Sequence, residues 1–131
     1  MIVVDSNVIA YLYLPGEYAE AAGRLLEWDA DWHAPVLWRS EVRNILTNYL
    51  RRGLLTFEQA LAVQQEAELF LMGAEHEPDS AQVLNLVRMS DCTAYDCEFV
   101  ALANALGVRL VTMDKKLLRN FPHVAEPLTG F

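Results

Sequence analysis

Apolar and polar positions alternate along this chain in blocks that read as a repeated strand–helix pattern. Ile2-Val3-Val4 is a β-branched run with no internal polarity, which predicts a strand buried on both faces. It stops at three small polar residues, Asp5, Ser6 and Asn7, and an apolar stretch from Val8 to Leu14 follows until Pro15-Gly16 ends it. Residues 17–28 predict a helix with Ala19, Ala22, Leu25 and Leu26 inward and Glu17 and Glu20 near its N-terminus. Asp29 to Asp31 breaks it, and Trp32 to Ala34 reads as a short second strand closed by Pro35. The longest helix is expected over 36–52, where Val42, Ile45, Leu46, Tyr49 and Leu50 share a face and Gly53 supplies the stop.

Thr56 and Gln59 have the spacing of a capping box and open a helix to about Leu71, ended by Met72-Gly73. Asp79 or Ser80 caps a short helix carrying Val83, Leu84, Leu86 and Val87. After the turn at Ser90-Asp91-Cys92, a helix from near Thr93 to Leu106 carries an apolar stripe of Tyr95, Phe99, Leu102, Ala103 and Leu106, and Gly107 caps it. Arg109 to Thr112 is then a second apolar strand closing on an acid, Asp114. Helix, glycine, strand, acid is the latter half of a βαβ unit, so this strand is expected parallel to its neighbours. A short helix over 115–120 and an edge strand over 124–128, containing Pro127, complete the pattern.

The expected class is therefore α/β, a single domain over 1–131. In open α/β sheets ligands bind beyond the carboxyl ends of the strands, where Asp5 and Asp114 fall. Either is also an ordinary turn or helix cap, Asp96 sits in a first turn that favours an acid, and Glu41 reads equally as a solvated helix charge. Two carboxylates at one sheet edge are harder to explain as caps alone, because like charges repel unless something positive stands between them.

Composition narrows the classes. An apolar fraction of 53% excludes disorder, and no apolar run approaches the roughly 20 residues that span a bilayer. Asp5 interrupts the first apolar run and no positive segment precedes it, so no signal peptide is read and a cytoplasmic location is expected. Cys92 and Cys97 read as small unbridged core residues, and His33, His76 and His123 form no zinc spacing with them. A formal net charge of −8 argues against passive binding of a polyanion, yet suits a site that recruits divalent cations and a partner with a basic segment.

Asp5 in IVVDSN, Glu41 in WRSEVRN, Asp96 in TAYDCEFVALA and Asp114 in RLVTMD occur in an order and context that resembles the PIN domains, most closely the VapC-type toxins of bacterial and archaeal toxin–antitoxin modules. The likeness runs the length of the chain, is strongest over 92–114 and carries little over 54–89. It implies a three-layer α/β/α fold with a short central parallel sheet and a ribonuclease dependent on Mg²⁺ or Mn²⁺. Asp5, Glu41, Asp96 and Asp114 fall on the family's four acidic positions, and Asn7 and Thr112 on polar positions flanking the site. Asp5, Asp96 and Asp114 would hold metal directly or through water, and Glu41 would join them or orient the water. Asp91 is an additional nearby carboxylate. RNA, a cognate antitoxin protein and a second copy of the chain are the expected partners.

Arg39 and Arg43 beside Glu41, and Lys115, Lys116 and Arg119 after Asp114, are candidates for a basic rim that holds RNA. Tyr11, Leu12, Tyr13, Leu14, Leu37 and Trp38 are too many large apolar groups for one helix and one strand to bury, so part of them is expected at the surface as a partner's docking site. Two competing readings fit less well. A receiver-like module would want paired acids after the first strand and a lysine after the last one, whereas Ser6 and Asn7 follow Asp5, and Lys115 adjoins Asp114 directly. A haloacid-dehalogenase-like phosphatase would want a second aspartate where Asn7 stands.

Overall fold

The β-branched runs do form the centre of the molecule. In the computed structural model, which describes residues 1–131, β1 (Ile2–Val4) and β4 (Leu110–Thr112) lie side by side and every residue of both is buried. With β2 (Trp32–Pro35), β3 (Glu75–His76) and β5 (Ala125–Pro127) they make one five-stranded parallel sheet in the order β3-β2-β1-β4-β5. Helices cover it. A first group, α1 (Ser6–Tyr13), α2 (Ala19–Trp28), α3 (Trp38–Arg51) and α4 (Phe57–Phe70), packs together. A second, α5 (Ser80–Arg88) and α6 (Ala94–Leu106), packs through α6 against β1 and β2. The short α7 (Lys115–Asn120) packs against β5, and a 3-10 turn over Leu128–Gly130 closes against α2. This is the three-layer α/β/α arrangement that the family resemblance implies, and it covers both faces of the parallel sheet, as such a sheet requires. Buried apolar side chains from the sheet and both helical layers join in one core that includes Val3, Val8, Leu25, Trp38, Phe99 and Leu117.

Local chemistry sets the helix ends. The Thr56–Gln59 capping box forms with both of its hydrogen bonds, and Asp79 caps α5 through the Gln82 amide. α6 ends at Gly107 with φ +68°, a left-handed residue that a Cβ would strain.

The structure departs from the pattern in several places, each for a physical reason. The apolar stretch after Asp5 is the helix α1, started by the Asp5 carboxylate and buried at Val8, Ile9 and Ala10. β3 carries a glutamate and a histidine and no apolar signal; its place is set by pairing with Ala34 and Pro35. α3 begins at Trp38 rather than Val36, because the Val36 amide donates to the carbonyl of His76 and remains bound to the sheet. α2 likewise begins two residues late. Tyr95, at the start of α6, is 62% exposed and does not belong to that helix's core stripe; Leu50 and Leu84 are also exposed.

The surface expected around Trp38 is largely absent. Trp38 is fully buried and Leu14 nearly so, while Tyr11, Leu12, Tyr13 and Leu37 are half-buried against the core. The reason is the first helical group: α3 packs on α1 and α4, so more than one helix and one strand cover these side chains. No helix is long and apolar enough to cross a membrane. Cys92 and Cys97 are buried free thiols.

Candidate active site

Adjacent parallel strands end level with one another, and here that brings two polar side chains together. Val4 pairs with Val111 in register, so Asp5 and Thr112 stand side by side just past the core. The Asp5 carboxylate accepts the Thr112 hydroxyl at 2.6 Å on Oδ2 and the Ser6 amide at 2.8 Å on Oδ1. Thr112 Oγ1 in turn accepts the Asp114 amide at 3.0 Å, and Asp114 Oδ1 caps α7 through the Leu117 amide at 2.9 Å. One buried hydroxyl thus links both strand-ending acids. Asp5 and Asp114 are helix caps, and they are also members of a cluster; the two readings of each acid hold together.

The other two acids arrive on helices. Asp96 lies in the first turn of α6, where Thr93 Oγ1 accepts its amide at 3.1 Å. Glu41 lies in the first turn of α3, and Ser6 donates its hydroxyl to Glu41 Oε1 at 2.7 Å. Asp5, Glu41, Asp96 and Asp114 line one cleft of about 350 Å³, together with Ser6, Asn7, Ser40 and Asn44 and the apolar rim of Leu37, Ile45 and Tyr95. Thr112 stands behind Asp5 rather than on the cleft wall.

No lysine or arginine lines this cleft, so no positive side chain stands between the acids; only the charge of Lys116 reaches Asp96 from outside it. Burial is the main force that pushes the Asp5 carboxyl up to about 6, with the charges of Glu41 and Asp96 adding to it against the bonds from Thr112 and Ser6. Glu41 is raised by its half-burial and then by Asp96, against the Ser6 bond. Asp96 is raised by burial and by the neighbouring charge of Asp114. Glu98, on the same helix as Asp96, is raised by burial, with Glu77 and Glu41 contributing, which makes it a further acid whose field reaches the cluster. Ser6, Ser40, Asn44 and Tyr95 were not marked by the sequence as lining residues; only the side-by-side placement of Ser6 within the Asp5 motif signals one of them.

The expected basic rim is mostly committed elsewhere. Arg39 faces away from the cleft, forked onto Glu75 (Nε to Oε2 2.6 Å, Nη2 to Oε1 2.7 Å) with Nη1 on Glu68 at 3.1 Å. The two carboxylates at the far side of α3 outbid the cleft for its guanidinium. Arg43 reaches Glu68 at 4.0 Å. Lys116 Nζ lies 3.4 Å from the carbonyl of Asp91, whose carboxylate holds Asn120 and Arg119. Asp91 is therefore a surface anchor of α7 and no part of the cleft wall. Lys115 is exposed and outside every ion pair.

The donor set fits a hard divalent cation. No three of the carboxylate, imidazole or thiol groups stand close enough to bind one ion entirely by direct contact. Mg²⁺ and Mn²⁺ do not need that; Mg²⁺ takes one or two carboxylates and keeps several waters, and all-oxygen ligation suits both. An acid held near 6 by burial, among like charges and without a cation from the chain, is the environment such an ion would stabilise.

Known proteins share this fold. The chain is 36% identical over 131 residues to Ribonuclease VapC3 of Pyrobaculum aerophilum, with 96% of this chain and 98% of that protein covered. The fold matches the crystal structure of FitAcB from Neisseria gonorrhoeae with a TM-score of 0.76 at 19% identity over the full length of both chains. It also matches a toxin–antitoxin complex from Klebsiella pneumoniae with a TM-score of 0.73 at 15% identity, covering 98% of each chain. Residues 2–125, which include all four acids and every strand but the last two residues of β5, match the PIN domain profile, and the chain belongs to that family.

Proposed function

We propose that this chain is a divalent-metal-dependent endoribonuclease, the toxin of a toxin–antitoxin pair, acting in the cytoplasm. The observation that carries the reading is the four-carboxylate cleft at the carboxyl edge of a parallel sheet, with no basic side chain of its own. The identity to a relative named as a VapC ribonuclease, and the shared fold with a toxin–antitoxin complex, support the same assignment.

Asp5, Asp96 and Asp114 would hold Mg²⁺ or Mn²⁺ directly or through water. When bound, such an ion activates a water for attack on phosphorus and stabilises charge on the leaving oxygen. Thr112 fixes the Asp5 carboxylate by its 2.6 Å hydrogen bond, so the acid enters the reaction already oriented. Ser6 holds Glu41 Oε1, while Glu41 Oε2 has no hydrogen-bond partner within the protein and is free to take a ligand or orient a water. Lys115 and Lys116, exposed beyond Asp114, would steady the RNA backbone.

An antitoxin has a place to act. A second groove of about 190 Å³ adjoins the cleft, shares Asn7 and Ile45 with it, and is walled by Tyr11, Tyr18 and Tyr49. An apolar segment seated there would lie beside the acids, and a basic side chain on it would satisfy them. The family resemblance also favours a homodimer.

A circular RNA tests the activity, because having no ends it is linearised only by an internal cut. Linearisation with Mg²⁺ or Mn²⁺, its loss with chelator, and its loss in Asp5→Asn are the expected results. Circular RNA left intact with either ion would overturn the reading. Co-expression with the product of an adjacent short reading frame should restore growth if the chain is a toxin; growth that never falls would remove that role and leave a stand-alone PIN nuclease.

A further inference from the structure

The edge strand β3 carries a charged residue that the cleft does not use. Glu75 is a half-buried carboxylate on a strand of two residues, and both its oxygens are engaged by α3. Oε2 accepts the Trp38 indole N–H at 2.8 Å and Arg39 Nε at 2.6 Å, and Oε1 accepts Arg39 Nη2 at 2.7 Å. Trp38 and Arg39 are the first two residues of α3, and the carboxylate–guanidinium contact is the two-pronged kind that fixes orientation as well as distance. The start of α3 has no side-chain cap; its flanking residue Leu37 makes none. Four of the chain's seven α-helices, α1, α5, α6 and α7, by contrast, begin on an Asp or Thr side chain that caps them, and α4 begins on a full capping box.

We infer that Glu75 is a positioning residue for the cleft: by gripping Trp38 and Arg39 from the sheet edge, it sets the first turn of α3 so that Glu41 meets the Ser6 hydroxyl. This rests on the proposed nuclease site for its catalytic consequence, though not for its geometry. Glu41 follows Arg39 by two residues and is the only one of the four acids whose helix start is not fixed by a local side-chain cap. Glu68 adds a second grip on Arg39 from α4, and Gln64 donates to the Arg39 carbonyl at 3.2 Å, so α4 holds the same turn as well. The opposite edge of the sheet offers a control. There Arg109, just before β4, pairs with Glu126 of β5 at 3.4 Å, an ion pair with no contact to a cleft residue.

Glu75→Ala, Glu75→Gln and the control Glu126→Ala separate positioning from general destabilisation. In metal-free protein, the Glu41 side-chain carboxyl resonance reports its bond to Ser6. Glu75→Ala should move that resonance and lower kcat for RNA cleavage about tenfold with KM little changed, as a small misplacement of a reacting group does. Glu75→Gln, which retains an acceptor for the Trp38 indole, should recover part of both. Glu126→Ala should leave both at their original values. An unmoved Glu41 resonance in Glu75→Ala, or an equal movement in Glu126→Ala, would overturn the inference. If the unaltered chain cleaves no RNA, the nuclease reading fails while the resonance still decides whether Glu75 sets Glu41.

Discussion

The two walls of the cleft are built by different means. The Asp96–Asp114 wall is assembled locally: Thr93 caps the turn that carries Asp96, and Asp114 caps the helix that follows it. The Glu41 wall is assembled at long range, by Ser6 from α1, Glu75 from β3 and Glu68 from α4, partners 29 to 37 residues distant from the groups they hold. Asp5 is the floor between them and is tied to the local side through Thr112. A wall made of caps needs little beyond its own segment, whereas a wall made of distant contacts requires the rest of the fold to be in place.

The floor is where the largest effect is expected. Asp5→Asn should lower cleavage about 10³-fold or more, on the scale of removing a preorganised electrostatic group, while the metal-free fold keeps or gains stability because a buried charge is gone. Rate and thermal midpoint measured on the same preparation check it; an unfolded Asp5→Asn would make Asp5 a structural cap alone.

Trp38→Ala strikes the long-range wall through the core. The side chain is fully buried, so its truncation should destabilise by about 3–5 kcal/mol in denaturant unfolding. Trp38 is thus a core residue and not part of the surface docking site expected for its apolar group.

Acidity sharpens the contrast. The folded chain holds the Asp5 proton more tightly than the unfolded one, at about 6 against an ordinary value near 3.9, so this group favours folding in acid. That contribution fades as pH rises from about 4 through about 6, a loss of about 3 kcal/mol in metal-free protein. Glu41 and Asp96, also raised, act in the same direction, and Asp29 and Glu75, lowered by their ion-pair partners, act against it. Subtracting the Asp5→Asn stability curve from that of the unaltered chain isolates Asp5; a flat difference would contradict its raised value.

The local wall should yield less. Thr93→Ala removes one cap and should cost about 1 kcal/mol, with Glu41 undisturbed. Smallest is the rim: reversing Lys115 and Lys116 together should weaken RNA binding and reduce the slope of log affinity against log salt by about 1–2, as the loss of two phosphate contacts would. An unchanged slope would remove both from the RNA path.

The same division explains what the sequence revealed. Asp96 and Asp114 were legible because helix, cap, glycine and strand follow one another within a single βαβ half, and such signals are local. Asp5 was legible as a strand end. The helical nature of residues 6–13 was not, since an apolar run of that length fits strand or buried helix equally, and the Asp5 cap decided it. Nothing in Glu75-His76 marks a strand, because two polar edge residues have neither alternation nor an apolar face. Arg39 read as a rim cation for the same reason: its partner lies 36 residues further on, beyond any periodicity. Trp38 read as surface because the helices that cover it could not be counted from its neighbours.

Capping also divides the four acids by what their loss would do over time. Asp5 and Asp114 each start a helix with the carboxylate that faces the cleft, whereas neither the Glu41 nor the Asp96 carboxylate caps anything. A lineage released from selection for cleavage would therefore drift unevenly. Positions 41 and 96 would accept almost any helix former, while positions 5 and 114 would be confined to Asn, Ser, Thr and the other residues that begin helices. A decayed copy of this gene would still carry the outline of its cleft at two of the four corners.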